Sequence, residues 1–64
     1  MITVNGEQIA FEGSIADLVA LRLGSRTSGV AVALNGEVVA RGGWPVQQAA
    51  AGDRVEIVTA VQGG

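Results

Sequence analysis

Sixty-four residues, 48% of them apolar, fit one domain around a single small core and leave little room for a deep pocket beside it. The net charge of −2 argues against nucleic acid, whose phosphates ask for a basic stripe. With no Cys and no His, disulfides, the usual zinc sites and Cys–His or Ser–His catalysis are excluded, and with four Arg and no Lys the chain cannot form a lysine Schiff base.

Residues 1–4 alternate, with Ile2 and Val4 on one face. Asn5-Gly6 follows, a two-residue turn in which both positions tolerate positive φ, and residues 8–12 alternate again with Ile9 and Phe11 together. An N-terminal β-hairpin is expected. Gly13 breaks the pattern. Ser14 with Asp17 three residues on resembles a capping box with a short acid, and Ile15, Leu18 and Val19 then form one helical face. The helix is expected over Ile15–Leu23, ended by Gly24 in a left-handed conformation. At this length it needs a sheet to lean on.

Residues 24–29 read as a polar loop and residues 30–34 as a strand that is apolar at every position. Such a run implies burial on both faces, or one face buried and one meeting a partner. Asn35-Gly36 is a second turn of the same type, before a short strand over residues 37–40. The segments 4–10 and 34–40 look alike, which independent use of one hairpin chemistry explains without duplication. Residues 41–43 read as loop, residues 46–51 as a single helical turn, and Gly52-Asp53 as a turn. The last strand, residues 54–61, puts Val55, Ile57 and Thr59 on one face and Glu56, Val58 and Ala60 on the other.

The order is therefore β-β-α-β-β-β. An economical arrangement is an α+β fold, a mixed sheet of four to five strands over one short helix, with the first and last strands parallel in the middle. This is the β-grasp, or ubiquitin-like, architecture. The expected core is Ile2, Val4, Ile9, Phe11, Ile15, Leu18, Val19, Val30, Val32, Leu34, Val55 and Ile57. Residues 1–60 form the expected domain and residues 61–64 (Val61, Gln62, Gly63 and Gly64) a tail. Two glycines offer a thin backbone and a carboxylate with no Cβ beside it, suited to a narrow channel; a frayed terminus is the plainer alternative. No charged-then-apolar leader and no apolar run near 18 residues is visible, so a cytoplasmic protein, off the membrane, is expected.

Several motifs together resemble the small ubiquitin-like sulfur carriers, closest to the thiamine-thiazole or ThiS type. They are Ile2-Thr3-Val4-Asn5-Gly6, Val30-Ala31-Val32-Ala33-Leu34-Asn35, Val38-Val39, Arg41-Gly42-Gly43-Trp44, Gly52-Asp53-Arg54-Val55-Glu56-Ile57-Val58 and Ala60-Val61-Gln62-Gly63-Gly64. Ala49-Ala50-Ala51 departs from the pattern, because a bulkier apolar residue would anchor that stretch better. The resemblance implies a protein substrate rather than an enzyme. An E1-like enzyme would adenylate the Gly64 carboxylate with ATP and Mg²⁺ of its own, and a persulfide donor would convert it to a thiocarboxylate for thiazole synthase. No cofactor is expected on the carrier itself, and a monomer is the default.

Val58 and Ala60 are candidate partner contacts, because their side of the last strand is apolar and opposite the Val55 and Ile57 side. Trp44 fits either a lid over the end of the sheet or a partner hot spot. Three other readings stay open: the small subunit of molybdopterin synthase, a noncovalent β-grasp interaction domain with an inert tail, and a truncated chain. Against the first, the only Phe is Phe11, and Ala60 rather than Pro precedes Val61.

Overall fold

The structure is a computed structural model and describes residues 1–59. Its elements are β1 (Ile2–Val4), β2 (Glu7–Ile9), β3 (Gly13–Ser14), α1 (Ile15–Leu23), β4 (Val30–Leu34), β5 (Glu37–Val39), β6 (Gln48–Ala49) and β7 (Arg54–Thr59), with a 3-10 turn at Arg41–Gly43. The main sheet runs β2-β1-β7-β4-β5, and β3 pairs with β6 in a separate two-stranded bridge. β7 lies parallel to β1 and antiparallel to β4 at the centre of the sheet. The fold is the expected β-grasp.

Both hairpins turn through Asn-Gly with positive φ at each central residue: +50° and +86° at Asn5 and Gly6, +51° and +88° at Asn35 and Gly36. This pair of left-handed residues matches the twist of the flanking strands. The registers follow, Ile2 opposite Ile9 in one hairpin and Val32 opposite Val39 in the other. The two look-alike segments thus sit on opposite sides of β7.

Helix α1 occupies the expected span. The Ser14 hydroxyl accepts a hydrogen bond from the Asp17 N–H at 3.0 Å, capping its first turn. At the other end Gly24, at φ +65°, donates its N–H to the Ala20 carbonyl at 2.8 Å. Ile15, Leu18 and Val19 are buried against Ile2, Val4, Val32, Val55 and Ile57 of the sheet. Ile9, Phe11, Val30 and Leu34 are only partly buried and pack around this core rather than inside it. Thr59 lies exposed, although it shares the strand phase of Val55 and Ile57.

Residues 46–51 do not form a helical turn. Val46 and Gln47 close a turn by donating to the Gly43 carbonyl, Gln48 and Ala49 then pair with Ser14 and Gly13, and a short 3-10 turn lies just before, at Arg41–Gly43. The second strand ends at Ile9 rather than at residue 12. Ala49 is wholly buried within the bridge, so the small residue there is an integral part of the core.

Candidate functional site

The segment singled out for chemistry, Val61, Gln62, Gly63 and Gly64, lies outside the described residues, as does Ala60. What the structure gives is the strand that leads to it and the surface beside that strand. The strand is β7. Its inward residues, Val55 and Ile57, enter the core, and its outward residues, Arg54, Glu56 and Val58, face away from the helix.

On that open face the register places Ala31 opposite Val58, and Ala33 opposite both Glu56 on β7 and Val38 on β5. Val58 is 61% exposed and Val38 80% exposed. The two valines and the two alanines form an apolar strip across β5, β4 and β7, with Glu56 and Arg54 along one side. Val38 is not among the partner contacts expected from the sequence. Its place was available from the Asn35-Gly36 turn, because a two-residue turn puts Glu37 opposite Leu34 and hence Val38 opposite Ala33, on the outward face.

Trp44 does not belong to this surface, and the partner-contact reading of it is corrected. It is 5% exposed and sits in the core cluster. Its indole N–H donates to the Val39 carbonyl at 3.0 Å, which gives the buried ring's polar edge its partner. The Trp44 carbonyl accepts from the Ala16 N–H at 3.0 Å, tying the stretch to the start of α1. The Arg41 guanidinium stacks over the ring, 4.7 Å from its centroid, and donates to the Thr27 carbonyl. A residue used in this way has no face left for a partner.

The ends of β7 are held by side chains. At its start the Arg54 N–H donates to Asn35 Oδ1 at 2.8 Å, and Asn35 Nδ2 donates to the Asp53 carboxylate at 3.1 Å. The Ala50 N–H donates to the other Asp53 oxygen at 2.9 Å. The Ala50 N–H, and after it the Asn35 amide, hold the Asp53 carboxyl below the usual carboxylate value by favouring its ionised form. Towards its end the Ile57 N–H donates to Asn5 Oδ1 at 2.8 Å, and Asn5 Nδ2 donates to the Ile57 carbonyl at 3.0 Å. Arg22 on α1 lies 3.5 Å from Glu7 on β2, a surface pair that contributes little.

Among the described residues no group of three or more Asp or Glu side chains is placed to hold a metal ion, and no helix is long and apolar enough to cross a membrane. The described residues thus offer an exposed apolar strip and a central strand paired on both sides.

Comparison with known proteins agrees with this architecture. The crystal structure of thiamine biosynthesis protein ThiS from Geobacter metallireducens superposes with a TM-score of 0.79 at 30% sequence identity, covering 98% of this chain and 97% of that one. The NMR solution structure of a thiamine biosynthesis protein from the same organism gives a TM-score of 0.78 at 30% identity, covering 98% of this chain and 86% of the other. No curated protein matches. The model of the ThiS family matches residues 2–64, from the first strand through the diglycine, and the chain belongs to that family.

Proposed function

We propose that this protein is the sulfur carrier for thiazole formation in thiamine biosynthesis, with Gly64 as the residue that carries the sulfur. The observation that carries the reading is the family match over residues 2–64, which includes Gly63 and Gly64. The absence of Cys is in keeping with it, since the sulfur would travel on the C-terminal carboxyl rather than on a thiol.

A terminal carboxyl has a reference pKa near 3.5 and is ionised at neutral pH. In the proposed reaction a Gly64 carboxylate oxygen attacks the α-phosphorus of ATP in an E1-like enzyme, and pyrophosphate leaves. The terminal sulfur of a persulfide attacks the resulting acyl adenylate, and AMP leaves. A second thiol on the donor then breaks the S–S bond, forming a disulfide and releasing the Gly64 thiocarboxylate. Thiazole synthase takes up that sulfur. ATP and Mg²⁺ belong to the activating enzyme, and the carrier is its substrate.

Geometry limits how the carrier is used. The five residues that follow Thr59 reach at most about 16–18 Å. The domain must therefore dock close to the mouth of the activating site. The apolar strip of Val38, Ala31, Ala33 and Val58 is the docking surface this reading favours, because its Val58 lies on the strand that leads to the tail.

The test is ATP–pyrophosphate exchange with the cognate activating enzyme. The wild-type chain supports exchange. A chain with one residue added after Gly64, or with Gly64 deleted, does not, because the carboxylate is moved out of register with the α-phosphate. Gly64→Ala is slowed strongly, since a Cβ enters the channel beside the attacking group. An extended chain adenylated at the wild-type rate sinks the carrier reading and leaves a noncovalent interaction domain in its place.

A further inference from the structure

Asn5 and Asn35 occupy equivalent positions in the two hairpins, yet they hold opposite ends of β7. In the parallel pair of β1 and β7 the Thr3 N–H donates to the Asp53 carbonyl at 3.0 Å and the Asn5 N–H to the Val55 carbonyl at 2.9 Å. A continued β1 would next accept from the Ile57 N–H with a backbone carbonyl. The chain instead turns at Asn5, at φ +50°, and its side-chain amide takes over, accepting from the Ile57 N–H and donating to the Ile57 carbonyl. The amide thus adds one rung to a strand that has already ended.

Beyond this rung the β1 side of β7 opens into a notch of about 250 Å³, lined by Asn5, Arg22, Leu23, Ile57 and Thr59. On the other side, Val58 and Thr59 are paired with Ala31 and Val30 of β4. The last residues of β7 are therefore held from both sides only as far as Asn5 reaches. The Asn35 amide accepts in the same way from the Arg54 N–H, three residues before Ile57, where the strand begins.

We infer that Asn5 is a positioning residue for the activation of Gly64: its side-chain amide fixes the end of β7 and so the point and direction from which the reactive tail departs. The inference rests on the carrier reading above. Without the amide, Ile57 loses its hold on the β1 side and residues 57–59 are held by β4 alone, so the direction in which β7 ends is fixed from one side only. Loss of a fixed departure direction lowers the effective concentration of the carboxylate at the α-phosphate. The docking strip is untouched, so the change falls on kcat and not on KM.

Asn5→Gly removes the amide and still suits the positive φ of the turn, and Asn35→Gly is its matched control at the far end of β7. Each is assayed by ATP–pyrophosphate exchange at a temperature where circular dichroism shows it folded, alongside amide hydrogen exchange of the free protein. N5G lowers kcat about three- to tenfold with KM within about twofold, and the Ile57 amide exchanges faster. N35G keeps both kinetic constants within about twofold of wild type. N5D keeps the acceptor for the Ile57 N–H, lacks the donor, and falls between N5G and wild type. An N5G chain with the kcat of N35G, or with an Ile57 amide as protected as in wild type, overturns the inference and leaves the carrier reading standing. A wild-type chain that is not adenylated overturns both.

Discussion

Replacing Trp44 by Ala tests the assignment of this residue to the core. Nearly the whole indole is out of water, and a buried Trp removes about 150–250 Å² from solvent. At about 25 cal/mol per Å² this corresponds to roughly 4–6 kcal/mol, of which an alanine keeps a small part. The range observed for truncating buried aromatics, about 3–5 kcal/mol, agrees. The truncation also removes the indole's hydrogen bond to the Val39 carbonyl and the ring under Arg41, effects that overlap with the packing loss rather than add to it. Against this stands a total stability of about 0.05–0.15 kcal/mol per residue, or about 3–10 kcal/mol for a 64-residue chain. W44A is therefore expected to be largely unfolded at 25 °C, or to melt far below wild type. W44F keeps most of the packing and loses the indole donor, costing roughly 1–3 kcal/mol. At about 4–8 °C per kcal/mol for a domain this small, the shift is easily read in a thermal melt followed by far-UV circular dichroism. As the only Trp, residue 44 should also give a blue-shifted emission that moves red on unfolding. A W44A chain that melts with wild type but loses binding to the activating enzyme would refute the burial argument and restore Trp44 as a partner contact.

Val58→Asp should leave the melt within about 0.5 kcal/mol of wild type, since the side chain faces water. In an apolar interface the same carboxylate is desolvated without a partner, and kcat/KM for activation should fall at least tenfold, about 1.4 kcal/mol; unchanged kinetics would move the docking surface elsewhere. Ser14→Ala removes the cap on the Asp17 N–H and should cost about 0.5–2 kcal/mol in chemical denaturation, while an unchanged midpoint would mean the cap contributes nothing. Asp53 has a folded pKa below its ordinary value near 3.9, so its contribution is present above that value and is lost as the pH falls through the lowered folded value. Between pH 5 and 2 the melting temperature of wild type should therefore fall more steeply than that of Asp53→Asn, and parallel curves would remove Asp53 from the acid response.

Legibility in the sequence followed the range of the signal. Each Asn-Gly turn specifies its own hairpin within four residues, and Ser14 and Gly24 mark the ends of α1 by bonds to groups three or four residues away. The parallel pairing of β1 with β7 is non-local, but few other arrangements of these elements bury Ile2, Val4, Val55 and Ile57 together. The bridge of β3 with β6 was out of reach. Two residues on each side carry no periodicity, and their pairing depends on where residues 41–47 lead the chain. The open face was half legible: alternation put Val58 there, whereas Val38 needed the hairpin register to be carried through. The side-chain rungs at Asn5 and Asn35 were hidden because an Asn in an Asn-Gly pair is already explained by the turn.

The conformation that makes Asn suitable for the turn also lets its side chain complete the strand next door. A left-handed residue ends the outgoing strand and swings its own carbonyl away from the ladder, leaving the neighbour's next N–H without a backbone acceptor. Glycine tolerates the same φ and offers nothing in return, whereas Asn supplies an acceptor and a donor a short side chain away. In this fold β7 is flanked by strands that both stop at such turns, β1 at Val4 and β4 at Leu34, so the device is used twice on one strand. β7 in turn supplies Val55 and Ile57 to the core and Val58 to the open face. The exposed strip is held through the pairing of Val58 with Ala31 on β4, whereas the strand end that leads to the tail depends also on the β1 side, where Asn5 acts. That division is the physical reason to expect the two asparagines to differ in their effect on activation while resembling each other in their effect on stability.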